Sequence, residues 1–217
     1  MKSNSFGLKE VADVYLFDLG ATGVMTSGIV NTVAATMSGS NLVIKIGDKV
    51  VVDEGATPTT GEIAPTYGFD SLKVSNIEVT SEETTANGGK GNPELISWSY
   101  GKAATFTIED ALVSTKTFNL LFGVNEGTNA TTTMTVDANT FPDPYLIIGK
   151  TVMRSYATGK DEPFVFVIPK AKVNIESTFT MEADGDPSTF EMVFKALSAT
   201  IGGKKDVLVQ FLKPTLS

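Results

Sequence analysis

Along most of this chain apolar side chains return at every second position, the spacing of strands that turn one side to a core and the other to water. The pattern is cleanest near the C-terminus. Val173, Ile175, Phe179 and Met181 share one side with Ser177, while Asn174, Glu176, Thr178, Thr180 and Glu182 share the other. After the turn Ala183 to Pro187 the return strand sets Phe190, Met192, Phe194 and Ala196 against Glu191, Val193, Lys195 and Leu197. This alternation predicts a hairpin with one packed face and one partly polar face.

Two more hairpins follow from the same logic. Asn41 to Ile46 and Lys49 to Val52 are β-branched runs joined by Gly47-Asp48, a tight two-residue turn. Tyr145 to Tyr156 and Phe164 to Ile168 are joined across 157–162, after the rigid turn Phe141 to Pro144. Pro163 stands at a strand start, where its missing donor does least harm. Val11 to Leu19 carries apolar groups on both sides, which predicts a strand at least partly buried. Leu72 to Thr80, Glu94 to Ile108, Thr132 to Val136 and Val207 to Leu212 read as further strands, the last entered by the turn Ile201 to Lys205. Asp53 to Ser71, Ser81 to Pro93 and Gly123 to Thr131 are polar and rich in turn residues, and read as long surface loops. Gly20 to Ser40 stays open, because its content favours strand or loop while Val30, Val33, Ala34 and Met37 sit at helical spacing.

One segment breaks the period of two. Glu109-Asp110-Ala111-Leu112 places acids where a helix N-terminus favours them, Ser114 can cap a second turn, and Gly123 can end it. A short helix over Glu109 to Phe122 is therefore predicted. The sum is a mainly β fold, an antiparallel sandwich or partly closed barrel with one short flanking α-helix and long loops. With 217 residues the chain fits a single β-domain, 1–217.

Composition narrows the chemistry. Cysteine and histidine are both absent, which excludes disulfides, thiolate nucleophiles, Cys/His zinc sites and every imidazole-based triad. Seventeen Lys and Arg against 25 Asp and Glu give a net charge of −8. Such a balance repels phosphate backbones, and Lys204-Lys205 is the one adjacent basic pair. No apolar run approaches the roughly 20 residues of a membrane-crossing helix, and Asp13 and Asp18 interrupt the first apolar stretch, so no secretory signal is expected.

The remaining motifs have structural explanations. Gly88-Gly89-Lys90-Gly91 lacks a following helix that would aim amides at a phosphate, and reads as loop flexibility. Asp184 and Asp186 flank a turn glycine without a further calcium ligand at a known spacing. Glu109 and Asp110 are adjacent and do not converge on one bond. No catalytic, cofactor-binding or metal site is predicted. Trp98 and Tyr100 are expected to pack in the core or at an interface.

The element from Ala103 to Gly123, with the strand-rich half that begins at Ile168-Pro169-Lys170-Ala171-Lys172-Val173, resembles tail tube proteins of tailed phages, from about Leu72 onward. It is a resemblance of element order and character. Residues 20–71 fall outside it, either as an elaboration or as a core element that the resemblance does not capture. The resemblance implies a virion protein of the tail, assembled in the host cytoplasm, that forms stacked hexameric rings around a channel for DNA. It further implies sheets joined across subunits and long loops reaching neighbouring rings. On that basis Glu176, Thr178, Thr180, Glu182 and Glu191 are candidates for the lumen face, with Lys195 a departure, and Glu82, Glu83, Asn87 and Lys90 for the inter-ring loop. The implied partners are other copies of the chain, a tape measure protein, a tail terminator or baseplate proteins, a sheath protein if the tail contracts, and DNA in transient passage, with no membrane. The alternative is another virion or surface protein, such as a capsid decoration protein or an adhesin domain.

Overall fold

A computed structural model describes residues 6–8, 13–53, 63–69, 72–110, 120–121, 139, 141–174 and 190–216. Its largest sheet contains β1 (Phe6–Leu8), β2 (Asp13–Asp18), β8 (Tyr67–Phe69), β9 (Leu72–Asn87), β10 (Glu94–Asp110), β11 (Tyr145–Ser155), β12 (Asp161–Asn174), β13 (Phe190–Ala196) and β16 (Gln210–Leu212). The order is β8-β2-β11-β12-β13-β10-β9, with β1 beside β11 and β16 beside β12, all antiparallel. A second sheet joins β5 (Val33–Ser38), β6 (Asn41–Ile46), β7 (Lys49–Asp53) and β17 (Thr215–Leu216). A third joins β3 (Met25–Thr26), β4 (Ile29–Val30), β14 (Ala199–Ile201) and β15 (Lys204–Val207). The fold is mainly β, and none of the sheets closes into a barrel.

Alternation divides the core in two. Val14, Leu16, Ile147, Phe166, Ile168 and Val173 lie on one side of the large sheet with Phe106, Ile108, Met192 and Phe194. Phe17, Leu146, Ile148, Val165 and Val167 lie on the other, against Val33, Leu42, Ile44 and Ile46 of the second sheet. The two smaller sheets thus cover β2, β11 and the first half of β12. Over the end of β12 and over β13, β10 and β9 the same side is bare: Lys172, Asn174, Glu191, Lys195, Asn76 and Glu78 are exposed.

The hairpin at Gly47-Asp48 forms as predicted, with Ile46 opposite Lys49 and Gly47 at φ 59°. So does the hairpin of β11 and β12, whose turn is held by a two-pronged contact of Arg154 with Asp161 at 2.7 and 3.0 Å. β12 runs on past the predicted end at Ile168. A register shift opposite Tyr145 and Ile147 accommodates Pro169, which has no N–H to give a ladder. The open segment Gly20 to Ser40 becomes β3, β4 and β5, because its apolar residues bury against the large sheet. Val207 to Leu212 is broken at 208–209 between β15 and β16.

Three expectations need correction. Glu109 and Asp110 do not open a helix; they end β10, paired with Glu191 and Phe190. Leu120 and Leu121 are helical and fully buried, 111–119 and 122–138 lie outside the described residues, and the short flanking helix is not borne out. The partly closed barrel is replaced by open sheets. Asp53 to Ser71 is not loop throughout, since β7 includes Asp53 and Tyr67 to Phe69 pair with β2, while 54–62 and 70–71 lie outside the described residues.

Gly149 sits directly opposite Phe166, and a Cβ added there would fall within the Phe166 ring. That ring is buried edge-on against Phe106, with centroids 5.2 Å apart, and has no room to retreat. Gly149→Ala should lower the unfolding free energy by about 3 kcal/mol, the upper end of overpacking costs. A urea midpoint unchanged from the parent would contradict this packing.

Candidate functional site

The feature that stands apart from the core is the hairpin of β9 and β10, whose strands run for 16 and 17 residues. Its inner half belongs to the sheet: Ala104, Phe106 and Ile108 are buried, opposite Val79, Ile77 and Ser75. Beyond Thr80 and Ala103 the two strands continue as a ribbon about 25 Å long, at 3.3 Å per residue. Every residue from Thr80 to Gly101 is exposed apart from the half-buried Ala86 and Gly88.

The predicted polar loop Ser81 to Pro93 is therefore mostly strand. Ser81 to Asn87 complete β9, and only 88–93 turn. Gly88 N–H donates to the carbonyl of Pro93, and Asn92 N–H to that of Gly89, each at 3.1 Å. Gly89, Asn92 and Gly91 take positive φ, which explains the glycine cluster as turn chemistry. Thr and Asn made the segment look like loop, and the pairing with Glu94 to Tyr100 overrode that local preference.

The ribbon has two unlike faces. Tyr100 lies opposite Glu82, Trp98 opposite Thr84 and Ile96 opposite Ala86, and residues directly opposite share a face. The other face holds Ser97, Ser99, Glu83, Thr85 and Asn87. Trp98 is 51% exposed, Tyr100 53% and Ile96 53%. This is an apolar stripe without a cover among the described residues.

A bulge decides which way the stripe points. Between Tyr100 and Ala103 the register slips by one residue against Glu82 and Thr80, and Gly101 has φ 62°. Uninterrupted alternation from Ala104, Phe106 and Ile108 would carry Tyr100, Trp98 and Ile96 on the core side. The extra residue moves them to the opposite side, the one bearing Glu78 and Thr105.

Of the predicted inter-ring residues, Glu82, Glu83 and Asn87 stand on β9 and Lys90 in the turn, all exposed. Glu82 flanks the apolar stripe, whereas Glu83 and Asn87 face the other way. Of the predicted lumen residues, Glu191 is exposed on the bare side of β13, and Glu176, Thr178, Thr180 and Glu182 lie outside the described residues. That bare side is of mixed charge. Lys172 stands directly opposite Lys195, and Glu109 directly opposite Glu191. Lys172 also sits 5.7 Å from the centre of the exposed Phe141 ring.

Among the described residues no group of three or more acidic side chains is placed to hold a metal. Burial, with Tyr67 alongside, pushes the Tyr145 hydroxyl above the ordinary tyrosine value.

The fold and its ribbon define a mainly β protein with a projecting, two-faced arm. The model of the YomU/Tube protein family matches residues 56–130 and 124–208, and the chain belongs to that family. It is thus a phage tube-type structural protein, a component of the virion tail. No curated protein matches the chain.

Proposed function

We propose that the chain is the subunit of a tail tube, building hexameric rings that stack around a channel for DNA. The observation that carries this reading is the arm: a ribbon with one face of Ile96, Trp98 and Tyr100 turned to solvent is a surface made for another chain. Its reach of about 25 Å beyond the sheet lets it overlap a neighbouring copy. The bare polar side of β12, β13, β10 and β9, which includes Glu191, is the candidate channel wall. Tape measure, terminator or baseplate proteins, and a sheath if the tail contracts, would meet the ends and outside of such a tube.

Trp98 is the single tryptophan, so its fluorescence reports the arm alone. The emission of dilute, monomeric protein should be that of a solvated indole, and should shift to the blue as rings and tubes appear by negative-stain microscopy. A monomeric mass at all concentrations, with no tubes, would sink the proposal. Tubes with Trp98 still solvated would remove the arm from it.

A further inference from the structure

The bare side of the sheet carries its charges in rows, and the rows lie at opposite ends of its described part. Nearest the arm, Lys172 faces Lys195 across β12 and β13, and Lys102 is exposed just beyond, in the bulge of β10. At the far end Glu191 faces Glu109 across β13 and β10, with the exposed Val74 next in the row. Lys195 and Glu191 are four residues apart on one strand, so the rows are separated by about 13 Å, and no ion pair joins Lys172, Lys195, Glu109 or Glu191 to another described residue. Like charges directly opposite one another work against the isolated sheet. Glu78 stands two strands from Lys195 in the same row, about 10 Å away along the ladder, and makes no ion pair with it.

We propose that these rows are the two halves of one contact: the Lys172–Lys195 row of one copy meets the Glu109–Glu191 row of the next, head to tail along the strand direction. The occupant is a second copy because the complement of each row is present on the chain itself, at its other end. The arm leaves the sheet from the basic end, so a copy placed beyond that end presents its acidic end to the arm. Val74, 43% exposed beside the acidic row, offers the arm an apolar contact there. A contact between different surfaces of identical subunits closes into a ring when its rotation closes and otherwise generates an open stack; translation along the strand direction gives the stack. The proposal rests on the tail tube reading and places the two rows at opposite rims of the candidate channel wall, where successive rings would meet.

The test uses two charge reversals in the full chain, K172E/K195E and E109K/E191K. Each alone presents like charges at both ends and should form rings that fail to stack, with the critical concentration for tubes raised at least tenfold. Mixed in equal amounts they should stack again, as should the quadruple variant, and parent tubes should weaken as salt rises. Unfolding midpoints of the monomers, together with the milder K172Q/K195Q and E109Q/E191Q, separate loss of contact from loss of fold. Parent-like stacking of either reversal, or no recovery in the mixture, overturns the charge seam while the tail tube reading stands. Absence of stacks from the parent protein overturns both.

Discussion

A chain in which Thr80 is joined to Ala103 through Asn-Gly in place of 81–102 should fold normally and form no tubes. The deleted segment contributes nothing to either core cluster. The buried Ala104, Phe106 and Ile108 begin immediately after the cut, the latter two paired with β13. Asn-Gly supplies the two positive-φ residues of the turn that suits twisted antiparallel strands. The unfolding midpoint should therefore stay close to that of the parent. Assembly should be lost, because Ile96, Trp98 and Tyr100 are removed together, and central aromatic anchors commonly contribute about 2 kcal/mol or more apiece to an interface. Light scattering at concentrations where the parent forms tubes measures this. Normal tubes would show the arm to be dispensable, and a collapsed midpoint would show that it supports the sheet.

The bulge yields the second prediction. Gly101 holds φ 62°, a conformation that costs other residues about 1–2 kcal/mol and β-branched ones more. Gly101→Val should favour the regular ladder, which slips β10 by one residue and turns Tyr100, Trp98 and Ile96 toward the core side. Assembly should weaken roughly tenfold or more, the factor that corresponds to about 1.4 kcal/mol. Deleting Lys102 instead leaves Tyr100 and Ala103 two positions apart, in step with Glu82 and Thr80, so the stripe keeps its side without the bulge. That deletion should assemble better than Gly101→Val and should rescue it in combination. If Gly101→Val assembles as the parent does, the orientation of the stripe is not what the contact requires.

The alternation of apolar residues carried much of the fold. Val173, Phe194 and Met192 are buried and Asn174, Lys195 and Glu191 exposed, as their spacing required, because a strand's side chains have only two directions. The same rule made β2 a strand buried from both sides. Where burial was decided by distant residues, local signals failed. Gly20 to Ser40 looked undecided because Val30 and Val33 gain their meaning only against Phe17, Leu146 and Val165. Glu109 and Asp110 looked like a helix start because acids suit that position, yet pairing with β13 and β9 outweighs a terminal dipole of a few tenths of a kcal/mol.

The candidate site shows the division most clearly. Its apolar residues were visible in sequence, since Trp98 and Tyr100 stand two apart, whereas its turn at 88–93 was legible only as part of a longer loop, Ser81 to Pro93. What the chain by itself determined was a set of strands with known faces, an absence of Cys and His chemistry, and an acidic balance. Tertiary structure alone decided that Ser81 to Asn87 would pair with Glu94 to Tyr100 and project from the body, that one extra residue near Gly101 would turn the aromatic stripe outward, and that Lys172 would meet Lys195 and Glu109 would meet Glu191 across the ladder. The physical reason is that a side chain's direction is a local property of the backbone, whereas its neighbours depend on register. Register is set by the sum of long-range pairings, and a single bulge is enough to change it.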